Sequence, residues 1–246
     1  MEIMGIDIGG SGIKGGIVDT EKGVLLTERH KILTPQPAEP EAVADTVQQL
    51  IDHFGYQGPV GCGFPTLVID GWAKTSGNLS EKWQGVQVDQ LFAERTGLPF
   101  TVVNDADAAG IAEMRVGAGK GKQGLVITIT IGTGLGSGVF YNEVLIPNIE
   151  IGRMLYKNED PVEFWAAGSV RKREGLDYAT WGNRFNDFLQ YLDLIFSPDL
   201  VILGGGTSRK MEKFEKYLTV NFPVIPAELR NNAGTIGAAM MAAESQ

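Results

Sequence analysis

The chain has 246 residues, 43% hydrophobic and 21% charged, a length that suits two small lobes better than one core. A net charge of −9 argues against a nucleic-acid binder, and the single cysteine, Cys62, excludes an internal disulfide and a multi-cysteine zinc site, as suits a reducing cytoplasm. No apolar run reaches the ~18 residues of a membrane span, and the first residues, with Glu2 and Asp7, lack the basic-then-apolar order of a secretory leader.

Residues 2–8 read as a buried strand, followed by the turn Gly9-Gly10-Ser11-Gly12, a second strand over 13–18 and a third over 24–32. Prolines at 35, 37 and 40 make the next segment a loop. Apolar residues at 43, 47, 50, 51 and 54 then predict a helix over 41–54, and 59–64 returns as a strand. Residues 100–103 read as another strand, with a helix opening behind them. The pattern begins again at 124–131, a strand ending in Gly132-Thr133-Gly134, with strands over 135–141 and 143–146. Helices are expected near 161–173 and 180–196, a strand over 199–203, a helix over 208–217 and a terminal Gly/Ala-rich helix over 233–244 that packs back on the first lobe.

Two copies of strand, glycine turn, strand, strand, helix and strand make a ribonuclease-H-like order, not a Rossmann one. The expected lobes are residues 1–103 with 233–246, and residues 104–232. The 33 glycines gather at 9–16, 117–124, 132–138 and 204–206, each group beside an apolar run. Backbone without side chains at strand ends allows a ligand to approach closely.

Five motifs carry chemistry. A two-residue hairpin favours glycine for its positive φ, and bare amides in the 9–12 turn can form an anion site, with Asp7 placed to hold a metal-bound water and Lys14 to meet phosphate; a plain hairpin explains the same glycines. Gly132-Thr133-Gly134 repeats that turn in the second copy, and two such turns suggest two clamps on one phosphate chain. Asn104 and Asp105 open a helix, where one residue serves as cap and a carboxylate can act as general base in phosphoryl transfer. Glu150 can accept from two sugar hydroxyls or form a surface pair with Arg153. Gly204-Gly205-Gly206 ends a strand as a phosphate or nucleotide turn, or a simple helix entry. Basic residues at 120, 122, 171–173, 209, 210, 213 and 216 stand out in an acidic chain. They read as a polyanion track or as solvated helix faces.

These stretches resemble the ROK sugar kinases, and among them the polyphosphate/ATP glucokinases. The resemblance runs from residue 4 to about 243. It is most specific in Ser11-Gly12-Ile13-Lys14-Gly15-Gly16 and in Asn104-Asp105-Ala106-Asp107-Ala108-Ala109-Gly110, with support from 33–38, 117–120, 132–134, 145–148 and 204–210. It implies an actin-like ATPase fold of two lobes around a central cleft and a cytoplasmic homodimer. It also implies Mg²⁺, and transfer of phosphate from polyphosphate or ATP to the 6-hydroxyl of glucose. By the same resemblance Asp105 is the base, Asn78, Asn104 and Glu150 meet the sugar, and Asp7, Gly9, Gly10, Ser11, Gly12, Lys14, Thr133 and Gly134 belong to the phosphate loops. The family's Glu-x-Gly-His reads Glu150-Ile151-Gly152-Arg153 here, and Thr66 replaces a common glycine. Arg153 is longer and donor-only. Both departures bear on the sugar pocket and leave open another hexose, such as mannose or an N-acetylhexosamine, or a non-catalytic sugar-binding relative. The family's cysteine-rich zinc motif is absent.

Overall fold

Strand β1 (Glu2–Gly9) buries Ile3, Met4, Ile6 and Ile8 completely, as a central strand covered on both faces must. It belongs to the first of two units in the computed structural model, which describes residues 1–77 and 79–246: residues 1–112 with 232–246, and residues 113–231. β2 (Gly12–Asp19) returns antiparallel to β1, with Asp7 beside Lys14 and Gly9 beside Gly12. The expected third strand over 24–32 is two short ones, β3 (Val24–Leu25) and β4 (His30–Ile32), both paired with β2. The ladder breaks between them because the Thr27 hydroxyl takes the Ile17 N–H at 3.1 Å, where a strand would offer a carbonyl.

Helix α1 (Pro40–Phe54) starts on proline, ends on a left-handed Gly55 and buries Val43, Val47, Leu50 and Ile51, the stripe its spacing predicts. β5 (Val60–Phe64) is buried throughout. A small hairpin of β6 (Val68–Ile69) and β7 (Trp72–Ala73) and the helix α2 (Val88–Thr96) were not legible; only Val88 and Phe92 of α2 are buried, too few for a periodic signal. β8 (Phe100–Asn104) completes the order β3-β2-β1-β5-β8, and helix α3 (Asp105–Val116) carries the chain onward.

The second unit repeats the plan. β9 (Leu125–Ile131), β10 (Leu135–Tyr141) and β11 (Val144–Ile146) form an antiparallel meander. The helical stretch read at 161–173 is two pieces, α4 (Glu163–Ala166) and α5 (Gly168–Arg173), because Ala167 is extended (ψ 157°). α6 (Tyr178–Phe196) follows, then β12 (Leu200–Gly204), the single turn α7 (Gly205–Ser208) and β13 (Val224–Pro226). The order is β11-β10-β9-β12-β13, with β12 parallel to both β9 and β13. In each sheet the first strand is central, the next two run antiparallel on one side, and two parallel strands lie on the other. That is the ribonuclease-H-like order read from the sequence. The helix expected over 208–217 is instead α7 followed by 3₁₀ turns at 211–213 and 215–217. Buried Phe214 interrupts them as its ring meets Trp181 at 4.9 Å and Phe185 at 6.0 Å.

Helix α8 (Ala233–Glu244) packs on β1 and β5 in the first unit, as expected. The contact needs bare backbone. A Cβ at Gly61 would lie 1.8 Å from the Ala238 carbonyl oxygen, and one at Gly237 1.7 Å from that of Ala108.

Candidate active site

In the first unit the parallel ladder places Asp7 beside Gly63 and Phe64 beside Asn104. Gly63 in turn approaches the first residue of α3, since a Cβ on it would lie 3.5 Å from Asp105 Cα. The Asn104 Oδ1 accepts from the backbone N–H of Ala106 (2.9 Å) and Asp107 (3.1 Å), and its Nδ2 donates to the Thr66 carbonyl at 3.1 Å. Asn104 is therefore the helix cap, and it places Asp105 in the first turn, where the helix dipole favours an acidic side chain. Thr66 is buried; its hydroxyl contacts the Thr75 hydroxyl and donates to the Thr75 carbonyl at 2.8 Å, closing a loop. Asn78 lies outside the described residues.

Asp7 is ion-paired with Lys14 at 2.9 Å, and both are largely shielded from solvent. Burial, with a smaller contribution from the Asp7 charge, pushes the Cys62 thiol well up, so it is no nucleophile. In the first turn, Gly9, Gly10 and Gly12 are not among the glycines in the left-handed region, so positive φ is not why they are glycine. Gly12 makes room for a second cation. Its Cβ would collide with the Lys31 stem, and Lys31 is paired with Lys14 across β2 and β4. Nothing in the motif pointed to Lys31, which arrives from another strand.

In the second unit, Gly132-Thr133-Gly134 and Gly204-Gly205-Gly206 end neighbouring parallel strands, with Gly204 beside Thr130. Gly205 has φ +79°, and a Cβ there would lie 2.6 Å from Ile131 N, so only glycine fits. Ser169 donates its N–H to the Gly132 carbonyl (3.0 Å) and its hydroxyl to that of Thr133 (2.5 Å). The Glu163 carboxylate accepts from Leu135 N at 3.2 Å. Gly168 abuts the Thr207 hydroxyl. The two turns are thus braced together, with Thr133 exposed. Glu163, Ser169 and Thr207 were not expected at the site, because their partners are remote in sequence. The Glu150–Arg153 turn joins this region through Gly152, whose Cβ would meet the Leu135 carbonyl at 2.2 Å. Glu150 and Arg153 form a loose pair at 3.7 Å, with side chains 33% and 57% exposed.

Beside the 204–206 turn opens a cavity of about 730 Å³, lined by Gly205, Ser208, Arg209, Glu212, Glu215 and Arg230 and walled by residues 225–228 and Ala118. Its walls are tied by the buried Glu113, whose carboxylate accepts from the N–H of Ala118 (3.0 Å), Glu228 (3.1 Å) and Leu229 (2.8 Å).

A model of the ROK family matches residues 3–150. The chain belongs to the ROK family. Among its ROK relatives is the polyphosphate glucokinase of Mycobacterium tuberculosis (strain CDC 1551 / Oshkosh), 46% identical over 96% of this chain and 89% of that protein. The crystal structure of the inorganic polyphosphate/ATP-glucomannokinase of Arthrobacter sp. strain KM superposes with a TM-score of 0.95 at 40% identity, covering 100% of this chain and 99% of that one. A ROK glucokinase from Streptomyces griseus, in complex with glucose and AMPPNP, gives 0.84 at 25% identity over 99% and 100%. The fold is the actin-like ATPase fold of these sugar kinases.

Proposed function

We propose that the protein is a glucokinase that moves a phosphoryl group from inorganic polyphosphate or ATP to the 6-hydroxyl of glucose. The observation that carries this reading is the 46% identity to a polyphosphate glucokinase over 96% of the chain. The local geometry supports it: a capped helix presents Asp105, and paired glycine turns offer bare backbone to phosphate.

Asp105 accepts the proton of the 6-hydroxyl as its oxygen forms the new P–O bond and the bond to the leaving phosphate breaks. Asn78, Glu150 and Asn104 orient the ring. Because Asn104 and Thr66 already hold backbone, their main contribution is to fix the loop and the helix end. Arg153 lies beside Glu150 and contacts the sugar or the donor. The turns at 132–134 and 204–206 hold the phosphates; the turn at 9–12 adds the charges of Lys14 and Lys31. For ATP, the 730 Å³ cavity admits the nucleoside, with Glu212 and Glu215 as acceptors for ribose hydroxyls.

Among the described residues no cluster of three acidic, histidine or cysteine side chains could hold a metal by itself. This fits Mg²⁺, which binds through one or two carboxylates, its own waters and substrate phosphates. Asp7, whose Oδ2 meets Lys14 at 2.9 Å, would hold that ion through a water. Mg²⁺ supplies neutralisation of charge on the transferring phosphate. No described helix is long and apolar enough to cross a membrane. The resemblance implies a cytoplasmic homodimer, and light scattering checks the dimer.

The glucomannokinase neighbour, at 40% identity, favours mannose as a second acceptor. The test is a coupled assay of purified protein with Mg²⁺, polyphosphate or ATP, and a panel of glucose, mannose and N-acetylhexosamines. Glucose 6-phosphate should form with either donor. Asp105→Asn should lower turnover by about 10²- to 10⁴-fold, with glucose affinity by calorimetry unchanged. A wild-type chain that phosphorylates no hexose would refute the reading, and a fully active D105N would refute the base.

A further inference from the structure

We propose that Lys210, Lys213 and Lys216, with Arg171 and Lys172, form a track that binds the distal part of a long inorganic polyphosphate, on a surface separate from the nucleotide cavity. The proposal deepens the kinase reading above and rests on it for the identity of the chain bound.

The track follows from the two short 3₁₀ turns at 211–213 and 215–217 and from which of their residues are buried. Three residues per turn stack side chains i and i+3 on one edge. Lys213 N–H bonds the Lys210 carbonyl at 2.9 Å and Phe214 that of Met211 in the first turn, and Tyr217 bonds that of Phe214 and Leu218 that of Glu215 in the second, with Phe214 as the break between them. The sequence then sorts by thirds. Met211, Phe214 and Tyr217 point inward; Glu212 and Glu215 line the cavity; Lys210, Lys213 and Lys216 make a third edge, all exposed. The acidic edge suits hydroxyl-bearing ligands and repels a polyanion. The lysine edge does the reverse.

Arg171 and Lys172, on α5, join this edge. The Arg171 guanidinium lies 4.3 Å and the Lys213 ammonium 5.4 Å from the centre of the same Tyr178 ring. The ring face partly offsets the repulsion of two cations drawn together. Both basic segments also start at the donor turns. Ser169, two residues before Arg171, binds the 132–133 backbone, and Thr207, three before Lys210, lies against Gly168. Among the described residues Lys172, Lys210, Lys213 and Lys216 make no ion pair, in a chain where carboxylates outnumber cations 30 to 21. The carboxylates nearest in sequence are otherwise engaged: Glu174 pairs with Arg173 and Arg184, and Glu212 and Glu215 turn to the cavity.

The test is the triple variant Lys210→Ala, Lys213→Ala, Lys216→Ala, compared with the wild-type chain on long-chain polyphosphate, tripolyphosphate and ATP. A thermal melt first confirms that it folds. The expected result is a fall of at least about tenfold in kcat/KM for long polyphosphate, carried by KM, with ATP and tripolyphosphate within about twofold. Direct binding of long polyphosphate, measured over a salt series, should show a shallower slope of log affinity against log salt, by roughly one for each lysine in contact. Equal loss for all three donors, or no loss for any, would overturn the track. So would a single-stranded RNA that competes as well as polyphosphate of equal charge. If no donor supports transfer, the kinase reading fails, and the salt-dependent binding difference still decides the track.

Discussion

Asn104 and Asp105 show how adjacent polar residues divide their work. Either could cap a helix by its chemistry, and the sequence left the assignment open. The structure gives the cap to Asn104, which makes three hydrogen bonds to backbone, and places Asp105 one residue further, in the first helical turn. Arg153 is the residue that departs most from the family pattern. Its pair with Glu150 is long and half exposed, so screening leaves it worth under about 0.5 kcal/mol. It cannot lock Glu150 away from a sugar. Arg153→Ala should therefore leave glucose KM within about fivefold, whereas Glu150→Gln should raise it at least about tenfold, as steady-state kinetics would show. A larger effect at Arg153 than at Glu150 would assign the sugar contact to the arginine. Thr66, the other departure, was legible as a replaced glycine, but its buried link to Thr75 was not.

Elements were readable where their pattern was local. α1 announces itself through an apolar stripe between a proline and a glycine, and β1, β5, β9 and β12 through short apolar runs ended by polar residues or glycine. The reading failed where a remote group intervened: the Thr27 hydroxyl in the 24–32 segment, the extended Ala167 next to the braced turns, and Phe214 wedged on Trp181. Glu113, near the end of α3, is the clearest case of an element acting beyond its own sequence, because it joins residues 118 and 228–229 into one cavity wall. Glu113→Gln replaces one acceptor oxygen with a donor facing backbone N–H groups. It should raise KM for ATP at least about fivefold while leaving KM for long polyphosphate near wild type, the opposite of the lysine variant. At the packing of α8, Gly61→Ala should cost on the order of 1–3 kcal/mol or more in urea denaturation, because the obstacle is a backbone carbonyl that cannot rotate aside. A neutral Gly61→Ala would mean that α8 is not held against β5 as described.

At the scale of the molecule, a chain of net charge −9 must bind a strongly anionic donor through local cations and metal. Transfer from ATP should therefore vanish on chelation of Mg²⁺ and return on its addition, by the same coupled assay. Persistent activity in chelator would remove the role given to Asp7. The repeated sheet order, the strand ends bearing glycine turns and the placement of Asp105 at a helix start were determined by the sequence alone. Hydrophobic period, glycine and helix-capping residues act over a few neighbours, so they can be read without coordinates. The tertiary structure alone decided that two glycine turns are braced side by side, that Lys31 overlies the first turn, that Glu113 seals a cavity, and that Arg171 and Lys213 share the Tyr178 ring. Each of these depends on contacts between segments far apart in the chain, which no local pattern encodes.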